Sequence, residues 1–423
     1  MWSASYDIII VGAGVAGSAL AHPLSAASIE RGRPLRMCLL ECSLAEPDRI
    51  VGEFLQPGGI MALKNLALET CVEGIDAVPT YGYCVMLGGN PVHIPYPDGY
   101  EGCAFHHGRF IQALRAKAKE ANCVEVVEAT VSELIECPLS GRILGVRATR
   151  KEEGAVEKEA FFADLTVVAD GCFSNFRSQV MGKAAIQPVL KSHFVGLVLE
   201  DAQLPIPKHG TVMLVEGYGP GHILNNIIPQ LPAALHLPAR KALENDRLRR
   251  MPNSLLPASE QGKQTKEGVL LLGDSWSMRH PLTGGGMTVA FNDVVLLRDM
   301  QLDVKNLADW SEVKPVLHLP LEVLRTGCFK YFELGGNCVR EPVTLLAAIE
   351  QAPFTLFRHF FTVAFYSIWV LCTHPRQVGV VDGKPIYRRP RPDEYPFLAF
   401  KSLQVFWTAC VVFVPLLWTE LGP

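Results

Sequence analysis

The sequence predicts an α/β protein (α+β overall), in which a doubly wound parallel-sheet domain carries an inserted β-sheet domain and is followed by a helical membrane anchor. Three observations predict this architecture. Short apolar runs bounded by Gly and Asp recur in the first 300 residues, helix-forming stretches follow two of them directly, and apolar residues concentrate towards the end of the 423-residue chain.

The apolar runs are continuous rather than alternating, which is typical of parallel strands that are buried on both faces. They lie at residues 7–11, 35–40, 165–169 and 269–272. Helical periodicity follows the first run at 15–30 and the last at 287–300, and a further amphipathic helix is predicted at 110–121.

These elements divide the chain into three parts. We assign residues 1–78, 101–185 and 263–300 to the doubly wound domain, which is therefore discontinuous. Residues 79–100 and 186–262 carry scattered Pro, Gly and β-branched residues and are predicted to form an inserted, sheet-bearing substrate domain. A pocket between the two domains is the usual place for a site. The remainder, 301–423, is the predicted helical membrane-associated region.

Two apolar segments in that region, 354–372 and 397–418, approach the length needed to cross a bilayer. Charged residues interrupt both, so a monotopic hairpin or re-entrant anchor competes with two spans, and buried helices of a soluble domain are a further alternative. The proline-rich linker at 376–391 is basic and is expected to lie at the cytosolic headgroups.

Composition excludes other classes of function. Lys and Arg total 39 against 43 Asp and Glu, so the chain lacks the basic excess that nucleic-acid binding needs. The 12 cysteines form no CxxC pair and no secretory leader is recognisable, which predicts reduced thiols in a cytosolic environment. We expect no metal site, since no HExxH occurs and the adjacent His106 and His107 would face opposite sides of a strand.

The strongest motif is GxGxxG, which directly follows the first predicted strand and opens the first helix. Gly12 permits a tight turn, Gly14 lets the backbone approach a pyrophosphate, and Gly17 lets the helix lie close to the sheet. Glu41 ends the second strand, where its carboxylate can accept hydrogen bonds from the ribose hydroxyls of an adenosine. FAD or NAD is therefore favoured over NADP.

Later motifs favour FAD. Asp170 and Asp274 each lie beside a glycine at the end of an apolar strand, and the second leads into a glycine-rich turn at 284–286 that opens another helix. We expect this turn to receive the flavin side of one long cofactor, with Asp274 bonded to a ribityl or ribose hydroxyl.

Taken together, these motifs resemble the FAD-dependent aromatic-hydroxylase type of monooxygenase and, within it, the squalene epoxidase family. The resemblance is carried by long strings: DRIVGEFLQPGG at 48–59, AFHHGRF at 104–110, MRHPLTGGGMTVAF at 278–291 and FELGGNCV at 332–339. It extends over nearly the whole chain.

The resemblance implies FAD-dependent epoxidation of squalene, or a similar isoprenoid, to 2,3-oxidosqualene in sterol biosynthesis. Because no second GxGxxG occurs, electrons from NADPH are expected to arrive through a separate flavoprotein reductase. The implied location is the cytosolic face of the endoplasmic reticulum or lipid droplets, in contact with membrane lipid.

It also implies site residues. Tyr83 and Gln56 match the active-site hydrogen-bonded pair of the family. The predicted cofactor-binding residues are Gly12, Ala13, Gly14, Gly17, Glu41, Arg49, Phe54, Arg109, Val131, Asp170, Gly273, Asp274, Pro281, Gly285 and Met287. Arg49 and Arg109 also suit a dinucleotide independently, since guanidinium groups bind phosphates in a forked geometry.

The chain departs from the family pattern in two internal places. It is shorter after Asn226, where further strands of the substrate sheet are expected, and around His318, where a helical stretch is expected. Two alternatives therefore stay open: a monooxygenase of secondary metabolism acting on another terpenoid, and an inactive flavin-binding paralogue.

Overall fold

The computed structural model describes residues 5–313, except 88–89, 97–98, 153–156, 183–184, 215–222, 246–248, 257–263, 265 and 279–283, and beyond 313 only short stretches between 361 and 399. The strands are β1 (Ser5–Val11), β2 (Met37–Glu41), β3 (Phe54–Leu55), β4 (Val78–Thr80), β5 (Gly82–Leu87), β6 (Asn90–Pro95), β7 (Gly102–Ala104), β8 (Val124–Glu136), β9 (Ile143–Arg150), β10 (Glu159–Val168), β11 (Val189–Gly196), β12 (Gly210–Leu214), β13 (Arg249–Leu255), β14 (Val269–Leu271), β15 (Arg376–Val381) and β16 (Lys384–Arg388). The α-helices are α1 (Val15–Glu30), α2 (Pro57–Asn65), α3 (His107–Glu120), α4 (Arg177–Met181), α5 (Ala233–Asn245), α6 (Gly286–Asp303) and α7 (Trp310–Val313).

A parallel sheet in the order β8-β2-β1-β10-β14 forms the centre of the fold. β8 and β10 run on beyond it, and β9 pairs antiparallel with both extensions. All four predicted apolar runs lie in this sheet as parallel strands, and the first predicted helix has the predicted bounds. The doubly wound, mixed α/β architecture is confirmed, whereas the antiparallel crossover through β9 was not predicted.

Both faces of the sheet are covered. Ile8, Ile9 and Ile10 are all fully buried, although successive side chains of a strand point to opposite faces. Helices α1, α2, α3 and α6 contribute to the hydrophobic core on one face, and α4 together with the β8–β10 crossover forms the core on the other. Burial on both faces explains why these strands have continuous apolar runs.

The chain order of the strands places a crevice at one edge. β1 pairs with β2 on one side and with β10 on the other, so the direction of winding reverses between β1 and β10. In open parallel sheets the carboxyl ends of the strands at such a reversal form the binding crevice. Here the loops that follow β1, β2, β10 and β14 all begin at that edge.

Smaller sheets lie outside the parallel one. β12 pairs parallel with β5 and β5 pairs antiparallel with β6, β11 pairs with β13, and β7 lies between β3 and β4. These sheets contain the strands of the predicted substrate domain, but the boundaries proposed for the three parts of the chain stay a prediction. Asn226, where a shortening was predicted, lies in a single π-helical turn, Ile223–Ile227.

Among the described residues, no helix combines the length and apolar character that a membrane span requires. The predicted apolar segments at 354–372 and 397–418 lie outside the described residues apart from isolated positions, as do Pro281, His318 and the 332–339 string. Within the basic linker between the two segments, β15 pairs antiparallel with β16.

Candidate active site

The turn between β1 and α1 depends on glycine because of close backbone contacts. Gly12 has a φ of +102°, a conformation that side chains other than glycine rarely adopt, and a Cβ there would lie 2.5 Å from the Ala169 carbonyl oxygen. A Cβ at Gly17 would lie 2.0 Å from the Gly12 carbonyl oxygen. At Gly14, by contrast, a Cβ would meet no protein atom within 4 Å. Gly14 is therefore open towards the crevice, while Gly12 and Gly17 are fixed by the fold itself.

Glu41 lies at the end of β2, directly beside this turn. One of its carboxylate oxygens, Oε2, accepts a hydrogen bond from the Ala13 backbone N–H at 2.6 Å. The guanidinium of Arg115 lies 3.5 Å from the same oxygen and is only 5% exposed. Arg115 also donates to the backbone carbonyls of Ala13 at 2.9 Å and Ala45 at 3.0 Å. The arginine therefore joins the glycine turn, β2 and the loop after β2.

The structure places Arg109 outside the crevice lining, and its assignment to the cofactor stays a prediction. This side chain is 44% exposed, pairs with the exposed Asp76 and does not line the crevice, whereas Arg115 does. The two residues are six positions apart on α3, a rotation of roughly 240° around the helix, so they face different sides. No motif singles out Arg115, but it is a charge on the apolar face formed by Phe110, Leu114 and Ala118. That position was the signal available in the sequence.

We expect the two arginines to differ sharply when replaced. Arg115→Met leaves two carbonyls and Glu41 without their buried cationic partner, so it should destabilise the protein by about 3 kcal/mol and reduce FAD retention. Arg109→Met, the matched control, removes a surface pair worth about 0–1 kcal/mol. Chemical denaturation and flavin absorbance after gel filtration measure both effects. Loss of FAD from Arg109→Met but not from Arg115→Met would support Arg109 as the cofactor contact and contradict the role given to Arg115.

Asp170 and Asp274 follow β10 and β14 and meet at the same edge of the sheet. Burial raises the pKa of Asp170. Enclosure by the crevice walls raises the pKa of Asp274, and the positive charges of Arg49 and Arg177 oppose that shift. Arg177 is almost fully buried and donates to the backbone carbonyls of Asp274 at 2.8 Å and Ser275 at 2.6 Å. It also donates to the carbonyl of Cys172, which ties the two acidic loops together.

These loops fit a polyhydroxylated cofactor. Asp170 accepts a hydrogen bond from the Asn175 backbone N–H through Oδ2, while its buried Oδ1 has no partner among the described residues. An orphaned carboxylate oxygen is costly unless a ligand hydroxyl supplies a proton to it. The N-termini of α1 and α6 also border the crevice and offer unpaired backbone N–H groups to phosphate or flavin oxygens.

The crevice is a continuous cavity of about 1190 Å³. Ten of the predicted cofactor residues line it: Gly12, Gly14, Glu41, Arg49, Phe54, Val131, Asp170, Gly273, Asp274 and Met287. Gly285 lies at the N-cap of α6 between two lining residues. Ala13 lies within the turn and donates its backbone N–H to Glu41, and Gly17 lies close to the Gly12 carbonyl.

Tyr83 and Gln56 come together as a hydrogen-bonded pair, in which the Gln56 side-chain amide donates to the Tyr83 hydroxyl. The Tyr83 ring lies against Phe54, with 5.5 Å between the ring centroids. A Cβ at Gly284 would lie 3.6 Å from the Tyr83 hydroxyl. The pair thus stands directly behind two residues that line the cavity, Phe54 and Gly284. Enclosure raises the pKa of Tyr83 to about 12, so the hydroxyl is protonated at neutral pH.

The prediction for His106 and His107 assumed that they lie on a strand, but the structure places them at the start of α3. His106 is the N-cap of α3 and His107 is its first residue. His107 is buried, lines the cavity, and its Nδ1 lies 3.1 Å from the Gly52 carbonyl oxygen. Burial lowers the pKa of His107, so a neutral imidazole faces the cofactor crevice.

A parallel sheet with a glycine turn at its winding reversal, and with acidic loops beside that turn, defines a dinucleotide-binding protein. The solved structure of pqsL from Pseudomonas aeruginosa, a probable FAD-dependent monooxygenase, superimposes with a TM-score of 0.58 at 17% identity, covering 85% of this chain and 99% of that one. The fold is thus the mixed α/β fold that this FAD-dependent monooxygenase also has.

Sequence comparison gives the family. The squalene epoxidase family model matches residues 162–221, 215–319 and 318–382. Squalene epoxidase erg1 of Aspergillus fumigatus is 39% identical, covering 98% of this chain and 93% of the relative. Squalene epoxidase ERG1 of Gibberella zeae is 36% identical over 98% and 95%. The chain belongs to the squalene epoxidase family. The family match breaks near 215–221 and 318–319, close to the two predicted shortenings.

Proposed function

We propose that this protein is a squalene monooxygenase that converts squalene to 2,3-oxidosqualene, using FAD, O₂ and electrons from NADPH. The observation that carries the proposal is the continuous cavity that is lined by Gly14 and by Gly284, which lies next to Tyr83. A cofactor bound along it would bring its far end to the Tyr83–Gln56 pair, in a chain whose curated relatives are squalene epoxidases.

FAD, when bound, supplies the oxygen-activating chemistry of the reaction. Glu41 is positioned to accept hydrogen bonds from the adenosine ribose, held in place by Ala13 and Arg115. Asp274 and the N-terminus of α6 border the same cavity. Tyr83 supplies a protonated hydroxyl beside the aromatic wall of Phe54, and that wall helps to exclude water from the reacting centre.

Electrons from NADPH are proposed to arrive through a separate flavoprotein reductase. Support comes from the sequence, in which GxGxxG occurs once, after β1. The second dinucleotide site that direct reduction would need therefore has no motif in this chain.

We further propose that residues 301–423 attach the protein to the cytosolic face of the endoplasmic reticulum, as a monotopic anchor rather than as two spans. The apolar segments at 354–372 and 397–418, each interrupted by charges, support this placement. Squalene dissolves in lipid, so an anchored enzyme would take its substrate from the bilayer. Release of the full chain from microsomes by high salt alone would contradict the anchor.

The decisive experiment incubates the detergent-solubilised, FAD-loaded chain with squalene, NADPH and a microsomal flavoprotein reductase, and detects 2,3-oxidosqualene by mass spectrometry. We expect product that disappears when the reductase is omitted. Product formed with NADPH alone would contradict the separate reductase. Retained FAD without product would favour one of the two alternatives, and a panel of other terpenoids would then separate a different substrate from an inactive paralogue.

A further inference from the structure

A pair of histidines lies on the small sheet that contains Tyr83. His93 is in β6, and His209 directly precedes β12. The order of this sheet is β12-β5-β6, so the two side chains meet across β5. Their Nε2 atoms are 2.9 Å apart. The two residues are 116 positions apart in the sequence, so no motif joins them.

The register of the strands places this histidine pair away from the candidate active site. His93 pairs with Cys84 of β5, whereas Gly210, which follows His209, pairs with Tyr83. Because successive residues of a strand alternate between the two faces of a sheet, both histidines lie on the face opposite to the Tyr83 side chain. His93 is exposed and His209 is half-buried, so dissolved ions reach the pair.

The hydrogen bonds of His209 determine which nitrogen of each ring carries a proton. His209 Nδ1 lies 2.8 Å from the Pro207 carbonyl oxygen, which can only accept, so Nδ1 carries the proton. In neutral His209 the Nε2 atom then presents a lone pair, and His93 Nε2–H donates to it. Burial and the proximity of His209 lower the pKa of His93, so His93 is mainly neutral at pH 7.

The hydrogen bond between the two rings is bent. A straight bond along both ring axes would place the ring centroids about 5.2 Å apart. The observed centroid distance is 4.7 Å, with an angle of 67° between the ring planes. A bent hydrogen bond in contact with water is weak, so little stability is lost when another partner replaces the proton between the rings.

The distance between the two nitrogens fits a shared metal ion. Imidazole nitrogens bind metal ions at about 2.0–2.1 Å, and two such bonds at a right angle place the nitrogens about 2.9 Å apart. A tetrahedral angle would place them about 3.3 Å apart. Right angles are typical of tetragonal Cu²⁺ or Ni²⁺. Binding requires only that the His93 proton move from Nε2 to Nδ1 through the solvent, so no net proton is released.

We propose that His93 and His209 bind one divalent transition-metal ion that prefers ligands at right angles, Cu²⁺ or Ni²⁺, and that this ion ties the start of β12 to β6. In the part of the chain that the structure describes, no third His, Cys, Asp or Glu completes a metal-binding group, so water supplies the remaining ligands. The site is separate from the cofactor crevice, and the proposal does not depend on the proposed function.

The first test titrates the untagged, FAD-loaded full chain with Ni²⁺, which does not oxidise thiols, and measures binding by calorimetry. We expect a tight step with one ion per chain. His93→Gln and His209→Gln should each weaken this step about 100-fold, the upper end of what losing a hydrogen-bond partner of a metal ligand costs. Without metal, both variants should keep their FAD content and unfolding midpoint, because glutamine at these positions stays in contact with water.

His193→Gln is the matched control, because it removes an exposed histidine from β11, in a different small sheet. It should leave the Ni²⁺ titration unchanged. A tight step that survives both His93→Gln and His209→Gln would overturn the proposal, and so would the absence of a tight step in the unsubstituted chain.

Hydrogen exchange tests the tie between the strands. Ni²⁺ should slow amide exchange over residues 207–214 in the unsubstituted chain, because the ion restrains the start of β12. The same addition should leave exchange unchanged in His93→Gln, which keeps His209 but has lost the second ligand. Equal slowing in both proteins would mean that His209 binds the ion without His93, and it would overturn the proposal.

Discussion

Gly17→Ala is expected to disrupt the cofactor cradle and to leave most of the purified protein without FAD. The added Cβ would lie 2.0 Å from the Gly12 carbonyl oxygen, and backbone on both sides of the contact prevents a simple side-chain adjustment. Helix α1 would have to move away from β1. Overpacking of this kind costs about 1–3 kcal/mol, and we expect the upper end because the atom displaced is backbone. Denaturant titration and flavin content measure the loss.

Gly14→Ala is the control three residues earlier. Its Cβ would meet no protein atom within 4 Å, and its φ of −80° suits any residue, so the apoprotein should keep its stability. Only FAD affinity should fall, because the methyl group enters the space predicted for the pyrophosphate. Equal stability of the Gly17→Ala and Gly14→Ala apoproteins would contradict this division between fold and cofactor binding.

Tyr83→Phe is expected to lower kcat for epoxidation about 100-fold, the typical cost of removing one hydrogen-bond donor from an active site. The ring and its contact with Phe54 remain, so KM for squalene and the FAD content should change little. Steady-state kinetics with the reductase present, together with the flavin-to-protein ratio, test both parts.

The flavin-to-protein ratio decides where Tyr83 acts. Loss of FAD from Tyr83→Phe would place the hydroxyl in the cofactor shell instead of beside the substrate. Unchanged kcat would remove Tyr83 from the reaction.

Local signals predicted much of the fold correctly. The turn from Gly12 to Gly17 depends on contacts between neighbouring elements, so its residue types carry enough information to identify it. Strands β1, β2, β10 and β14 were also predictable, because burial on both faces favours continuous apolar runs. The family resemblance extended this to the Tyr83–Gln56 pair, which joins β5 to the N-cap of α2 and has no local signal of its own.

Features that depend on helix phase or on long-range pairing were less predictable. Placing the start of α3 after Arg109 hid the register that carries Arg109 to the surface and Arg115 to the crevice. Arg177 shows the same limit, because its partners Asp274 and Ser275 lie almost 100 residues away in the sequence. Isolated arginines in a sequence do not reveal such backbone acceptors.

The pairing of β1 with β10 has a consequence for biosynthesis. During translation the glycine turn leaves the ribosome early. Ala169, whose carbonyl lies close to Gly12, is made only after β10 has been synthesised. The last strand of the parallel sheet, β14, follows about a hundred residues after β10. Nascent chains that stop before β14 therefore expose the apolar edge of β10, and FAD loading must wait until the ribosome has passed Asp274.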